Sequence, residues 1–276
     1  MARVTLWCLT FSLLACTCLW ADEAVVISPT RQDGNGFLVH DVRSPYESGV
    51  TQIRVLLPDE IKPGQKYPVV YVLPVEAGAE NHYGDGLTEI KQLGLHNRFP
   101  AIYVAPTFSH LPWYADHPTN PEIRQETYFL KVVVPFIDST YPVLPEKRLL
   151  LGFSKSGWGA WSLLLRHPDL FAKAAAWDAP VMMDQPGKYG SGDIFGTKEN
   201  FQGYQVSALL EHNAGQFQSG KRLILVGYGN FELEHQQAHA LLNKLQISHE
   251  FRDGPARRHD WHSGWVTEAI ELLFSE

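Results

Sequence analysis

The run Gly152-Phe153-Ser154-Lys155-Ser156-Gly157-Trp158-Gly159 constrains this chain more than any other segment. The apolar stretch Arg148 to Leu151 precedes it and reads as a buried strand; Ala160 to Arg166 follows it and reads as a helix. A serine at a sharp strand-to-helix turn, with small side chains two before and two after it, has its hydroxyl held out at the tip of the bend. The flanking residues must be small because the backbone is strained at the serine and the next turn packs against it. Gly152 supplies one of them and Ser156 the other, at a position more often held by glycine. The bare pattern is short enough to arise by chance, and the strand before it and the helix after it give it weight. Ser156 fails as a rival nucleophile on sterics, because Trp158 stands where that turn would need a small side chain. The competing structural role for Ser154 is a helix N-cap.

The rest of the chain supplies a setting for such a turn. Val25 to Ser28, Phe37 to Val42 and Gln52 to Leu57 read as opening strands. Tyr67 to Leu73 and Ala101 to Ala105 are continuous apolar runs, the kind buried on both faces of a sheet. Glu89 to Asn97 reads as a helix, and Pro121 to Tyr141 as a long one that Pro135 should kink. After the serine turn come a strand at Ala172 to Trp177, a Gly- and Pro-rich excursion over 180–200, and a helix at Ser207 to Asn213. A strand at Arg222 to Val226, a helix at Glu234 to Leu245, a last strand at His249 to Phe251 and a helix at Trp261 to Phe274 complete the chain. Alternating strands and helices predict an α/β architecture, a mostly parallel central sheet with helices on both faces. Ligands of such sheets bind at the carboxyl ends of the strands.

The 276 residues suit one large domain, read as 22–276 after a signal peptide over 1–21. Arg3 and the apolar stretch Val4 to Leu14, too short to span a bilayer comfortably, make up that leader, with Ala21 as the cleavage point. The alternative is a lipoprotein leader ending at 15, in which Leu13-Leu14-Ala15-Cys16 leaves a lipid anchor on Cys16. The expected location is secreted or periplasmic. All three cysteines, Cys8, Cys16 and Cys18, lie in the leader. Disulfides, thiol catalysis and cysteine-ligated zinc are thereby excluded from the mature domain. A net charge of −7 without a basic run argues against nucleic acid as a partner. No further stretch of the mature chain is apolar for long enough to be a transmembrane span.

A serine hydroxyl is a weak nucleophile until a base removes its proton. Where the nucleophile sits on a strand-to-helix turn, the chain order is serine, acid, histidine. His259, between the last strand and the last helix, is therefore the expected base, and His262 should already lie inside the helix and face away. At these residues the chain resembles the esterase branch of the α/β-hydrolases, which holds esterase D, feruloyl esterases, enterochelin esterases and the antigen 85 mycolyltransferases. The residues that carry the resemblance are Gly152 to Ala160, Arg166-His167-Pro168 and His259-Asp260-Trp261. Trp113-Tyr114-Ala115-Asp116 and Val134-Pro135-Phe136-Ile137-Asp138 also match in kind. It runs from Tyr67 to Phe274 and implies an α/β-hydrolase fold, a serine nucleophile, a histidine base, hydrolysis of small-molecule or polysaccharide carboxylic esters, and neither metal nor cofactor.

Three departures from the family pattern matter. The family places an aspartate after the strand that is here Leu223 to Val226, where this chain has Gly227-Tyr228-Gly229-Asn230. An asparagine orients an imidazole but does not stabilise its charged form, so the acid is expected elsewhere: Asp178, at the end of the preceding strand, with Glu232 and then Glu234 as alternatives. Capping of local backbone is the other role open to Asp178. The oxyanion hole is expected from the backbone N–H of Lys155 and one from the loop Leu73-Pro74-Val75-Glu76. Pro74 has no N–H, so Val75 or Glu76 must donate, and Val75 is the expected donor. Lys155 also sets a positive charge beside the nucleophile, unless its head simply finds water.

His235 and His239 stand four apart on a predicted helix, a zinc-like spacing without the glutamate or third ligand of a zinc site. Tyr83, Trp113, Tyr114 and Trp265 either line a substrate groove or serve as half-buried packing. The expected function is a secreted serine esterase working through an acyl-enzyme on Ser154. Asn230 and Pro74 favour an alternative, a non-catalytic domain that binds a glycan or protein; a secreted acyltransferase would share every residue.

Overall fold

The computed structural model describes residues 24–78 and 81–275. The expected leader, with Cys16 and Ala21, lies outside the described residues. Among these residues ten strands form one sheet: β1 (Val26–Ile27), β2 (Arg31–Gln32), β3 (Leu38–Ser44), β4 (Glu47–Leu56), β5 (Tyr67–Val72), β6 (Ile102–Pro106), β7 (Val143–Phe153), β8 (Lys173–Trp177), β9 (Leu223–Val226) and β10 (His249–Arg252). Their order is β1-β3-β4-β6-β5-β7-β8-β9-β10, with β2 paired to β3. From β6 to β10 every pairing is parallel, and β1, β3 and β4 join antiparallel at one side. This is the mostly parallel sheet expected from the alternation of strands and helices.

Successive side chains of a strand point to opposite faces, and here each face meets its own core. Val69 and Tyr71 of β5 enter one cluster while Val70 and Val72 enter the other. The same division separates Leu150 of β7 from Leu149 and Leu151. An unbroken apolar run is what a strand with two buried faces requires. Helices α1 (Gly86–Gln92) and α2 (Leu95–Arg98) cover one face, together with the last helix of the chain. The other face is covered by α3 (Gln125–Tyr128), α4 (Val134–Thr140), α5 (Ser154–Arg166), α6 (Gly192–Phe195), α7 (Lys198–Gln202), α8 (Val206–Asn213) and α9 (Glu232–Lys244). The closing helix is α10 (Val266–Phe274). Among the described residues no helix is long and apolar enough to cross a membrane.

Several elements differ from the sequence reading, each for a local reason. The helix expected over Glu89 to Asn97 is two, α1 and α2, because Gly94 turns left-handed at φ 64° between them. The first of these starts early because the Asp85 carboxylate accepts the Thr88 N–H and caps it. The long helix begins at Gln125, and a π-helical turn, Phe129–Val133, joins α3 to α4. Pro135 cannot donate to the preceding turn and its ring crowds the carbonyl four residues back; a widened turn accommodates both effects. Residues 180–200 hold the short helices α6 and most of α7 rather than a purely irregular loop. The closing helix begins at Val266, so His262 lies in the turn before it and not inside it.

The crossing of α5 over the sheet depends on bare backbone at Gly159. A Cβ there would lie 2.1 Å from the Tyr114 ring, which is buried and tied down by its hydroxyl. Gly159→Ala should therefore lower the unfolding free energy by about 2 kcal/mol, as overpacked cores do, measured by denaturant titration.

Candidate active site

The serine turn has the geometry its sequence predicts. Phe153 ends β7 in extended conformation, and Ser154 takes φ 51°, a left-handed conformation that non-glycine residues rarely adopt. Such a residue costs roughly 1–3 kcal/mol and persists only where its surroundings enforce it. Ser156 is part of that enforcement. Fully buried, its Oγ donates to the Phe153 carbonyl at 2.9 Å and accepts the Phe153 N–H at 3.0 Å, closing the turn from inside. Gly152 is bare for the same reason, since a Cβ there would lie 2.3 Å from the Ser156 carbonyl oxygen. Ser154 is 8% exposed, and among the described residues its hydroxyl has no hydrogen-bond partner.

Sheet register brings Asp178 to the serine. Phe153 pairs with Trp177, so the next residues of β7 and β8 emerge side by side. The Ser154 N–H donates to the Asp178 carbonyl at 3.1 Å, and the Asp178 N–H donates to the Gly227 carbonyl at 3.2 Å. Asp178 is also left-handed, at φ 40°, and has no exposed surface. Its carboxylate accepts the Asn230 N–H on both oxygens, at 2.7 and 2.9 Å, and the Phe231 N–H at 2.7 Å. These donors stand at the entry to α9, where backbone N–H groups lack intrahelical acceptors and the helix dipole favours negative charge. Gly229 allows the approach, because a Cβ there would lie 2.7 Å from Asp178 Oδ2.

The other partner of that carboxylate is His259, whose Nδ1 lies 2.5 Å from Asp178 Oδ2. The imidazole is packed among aromatic rings: Phe153 at 5.0 Å, Tyr83 at 5.6 Å, Phe231 at 5.9 Å and Trp177 at 6.2 Å between centroids. Contact with Phe153 sets the ring beside the serine turn. Burial by itself would raise the pKa of Asp178, but the His259 hydrogen bond and the N–H groups of Gly229, Asn230 and Phe231 hold it below the ordinary carboxylate range.

The other expected residues fall as follows. Glu232 is exposed, and Glu234 accepts the Met182 N–H at 2.8 Å, so neither meets the imidazole. Asn230 contributes its backbone N–H to Asp178. Pro74 offers its carbonyl to the Tyr114 hydroxyl at 2.6 Å, which fixes the loop carrying Val75 and Glu76. Among the described residues the N–H groups of Val75 and Glu76 have no acceptor. Lys155, in the first turn of α5, is half-buried; burial pushes its pKa down and the Glu76 charge pushes it back. Glu76 in turn meets His82 Nδ1 at 2.6 Å.

His262, expected to face away, instead lies against α1 with its Nδ1 2.5 Å from Glu89 Oε2. Trp113, Tyr114 and Trp265 are fully buried packing, whereas Tyr83 is 39% exposed beside His259. His235 and His239 do not converge: one accepts the Ala179 N–H and the other pairs with His249. The sequence reading missed Gly229, Phe231 and the contribution of His235. Gly229 and Phe231 had no sequence signal beyond proximity to Asn230, and His235 none beyond its spacing with His239, because their contacts with Asp178 and Ala179 join residues more than fifty positions apart.

The family described as "Putative esterase" matches residues 47–262. No curated protein matches the chain. Among solved structures, a ferulic acid esterase is similar at 21% identity and a TM-score of 0.63, covering 91% of this chain and 96% of that one. An S-formylglutathione hydrolase from Agrobacterium tumefaciens is similar at 14% identity and a TM-score of 0.68, covering 90% and 98%. FphF, a fluorophosphonate-binding serine hydrolase of Staphylococcus aureus, is similar at 15% identity and a TM-score of 0.68, covering 90% and 100%. At these identities the likeness shows the fold, that of the α/β-hydrolases.

The depressed pKa of Asp178 links the site to stability. A carboxyl group with a folded pKa below its unfolded value contributes stability that is full above the unfolded pKa, about 3.9, and is lost as pH falls through the folded pKa. Unfolding free energies measured by urea titration should fall less steeply with acid in Asp178→Asn than in the parent.

Proposed function

Since the chain belongs to this esterase family, with a match that spans 47–262, we propose that it is a serine carboxylic-ester hydrolase with Ser154, His259 and Asp178 as its triad. Ser154 Oγ attacks the ester carbonyl carbon while His259 Nε2 takes the hydroxyl proton. The bond to the alcohol then breaks, and His259 returns that proton to the leaving oxygen. Water, activated by the same imidazole, attacks the acyl-enzyme, releases the acid and restores Ser154. Asp178 keeps Nδ1 protonated and stabilises the imidazolium. The observation that carries this reading is the buried Asp178 carboxylate 2.5 Å from His259 Nδ1, beside the left-handed Ser154.

The developing oxyanion is held by the N–H groups of Lys155 and Val75. Two features support that assignment: the first turn of α5 offers no intrahelical acceptor to Lys155, and Val75 follows the Pro74 carbonyl that Tyr114 anchors. The open Ser154 hydroxyl is consistent with a bond to the imidazole that forms once a carbonyl is bound, as is common in unliganded enzymes. No step calls for a metal or cofactor. The leader expected over 1–21 points to small-molecule or polysaccharide esters outside the cytoplasm as substrates.

A fluorophosphonate probe tests the nucleophile. Purified protein should be labelled at Ser154, and Ser154→Ala and His259→Ala should not be; folded parent protein that stays unlabelled would remove the serine mechanism. On p-nitrophenyl acetate, Asp178→Asn should lower kcat by about 10⁴, the loss seen when a serine triad keeps its geometry and loses its acid. Near-normal turnover would take Asp178 out of the triad.

A further inference from the structure

We propose that His235 is the positioning residue for the acid of this site, holding the Asp178–Ala179 peptide to α9 so that the carboxylate meets His259. The proposal rests on the triad reading above, because it assigns His235 a task only if Asp178 is the acid. His235 lies in the first turns of α9 and has no exposed surface. The Ala179 N–H donates to its Nε2 at 2.9 Å. A ring nitrogen that accepts carries no proton, so the proton of the neutral imidazole is on Nδ1. That Nδ1 is buried and has no partner among the described residues. A leucine or phenylalanine would fill the same space without leaving a buried donor unpaired. What only the imidazole supplies here is a fixed acceptor for the amide next to Asp178.

That amide needs an acceptor for a definite reason. Asp178 is left-handed, and such a conformation persists only where its surroundings over-determine it. On one side of its Cα, the Gly227 carbonyl accepts the Asp178 N–H. On the other side the next N–H, that of Ala179, goes to His235. The entry to α9 binds the carboxylate itself through Asn230 and Phe231, and Glu234 takes the Met182 N–H further along. The entry to α9 and its first turn therefore grip the acid and the segment after it at three places. Burial pushes the pKa of His235 down to about 4, against the pull of the Asp178 charge, so above that pH its ring stays neutral and Nε2 stays an acceptor.

The test compares His235→Leu and His235→Gln with the parent in three measurements: the low-field proton resonance of the His259–Asp178 hydrogen bond, the pH profile of kcat/KM on p-nitrophenyl acetate, and thermal unfolding. Leucine removes the acceptor. The resonance should be lost or move upfield, kcat should fall about 10- to 100-fold with KM nearly unchanged, and the acid inflection should move to lower pH. Glutamine carries an acceptor oxygen and should restore the resonance and most of kcat. A folded His235→Leu protein with the parent's resonance and inflection overturns the proposal, whatever its Tm. Should that variant not fold, nitrogen NMR of the parent decides. His235 should be neutral and protonated on Nδ1 from about pH 5 to about pH 9, and protonation on Nε2 in that range overturns the assignment. The resonance reports geometry and not turnover. A parent that shows it, responds to the leucine change and yet hydrolyses no ester would count against the hydrolase reading and leave the role of His235 intact.

Discussion

A charged carboxylate with no exposed surface is the constraint around which the rest of the site is arranged. Removed from water, such a group must find hydrogen-bond donors or give up its charge. Asp178 finds them in two N–H groups at the entry to α9 and in the imidazole of His259. The entry to α9 and the imidazole arrive from different parts of the chain, so satisfying the carboxylate also assembles the site. Gly229 is bare because the carboxylate comes so close, and the loop after β10 must return across the strand ends to deliver His259.

Two left-handed residues, Ser154 and Asp178, stand side by side and are joined by a backbone hydrogen bond. Strain at one is held by the same contacts that hold the other: Ser156 from within α5, Gly227 and the entry to α9 from the neighbouring strand. Both helices direct their N-termini at the site. Each helix dipole favours negative charge. On the proposed mechanism α9 serves the charge that is always present, on Asp178, and α5 the charge that develops at the substrate oxygen.

The features that favoured a non-catalytic domain have structural accounts. Asn230 stands where the family resemblance leads one to expect an acid, and here its backbone N–H donates to the Asp178 carboxylate at the end of the adjacent strand. Pro74 cannot donate, but its carbonyl is the point at which Tyr114 anchors the loop that offers Val75 and Glu76. On the proposed mechanism the acid comes from the end of β8, one strand before the position that the family resemblance implies, and serves the same imidazole. The Asn230 backbone and the Asp178 carboxylate, 52 residues apart, meet in one contact.

Sequence by itself determined the local physics. The run from Arg148 to Arg166 dictates a strand, a strained serine and a helix, because small residues are needed where the turn closes. Unbroken apolar strands such as Tyr67 to Val72 dictate a sheet covered on both faces. Boundaries were less legible where a single residue acts through geometry, as Gly94, Asp85 and Pro135 do, or where a tertiary contact replaces helix, as at His262. Tertiary structure alone decided which carboxylate meets the imidazole. Asp178, Glu232 and Glu234 each carry a carboxylate able to orient an imidazole. The choice among them follows from the pairing of Phe153 with Trp177 and from the unpaired N–H groups at the start of α9, neither of which exists until distant segments are packed together.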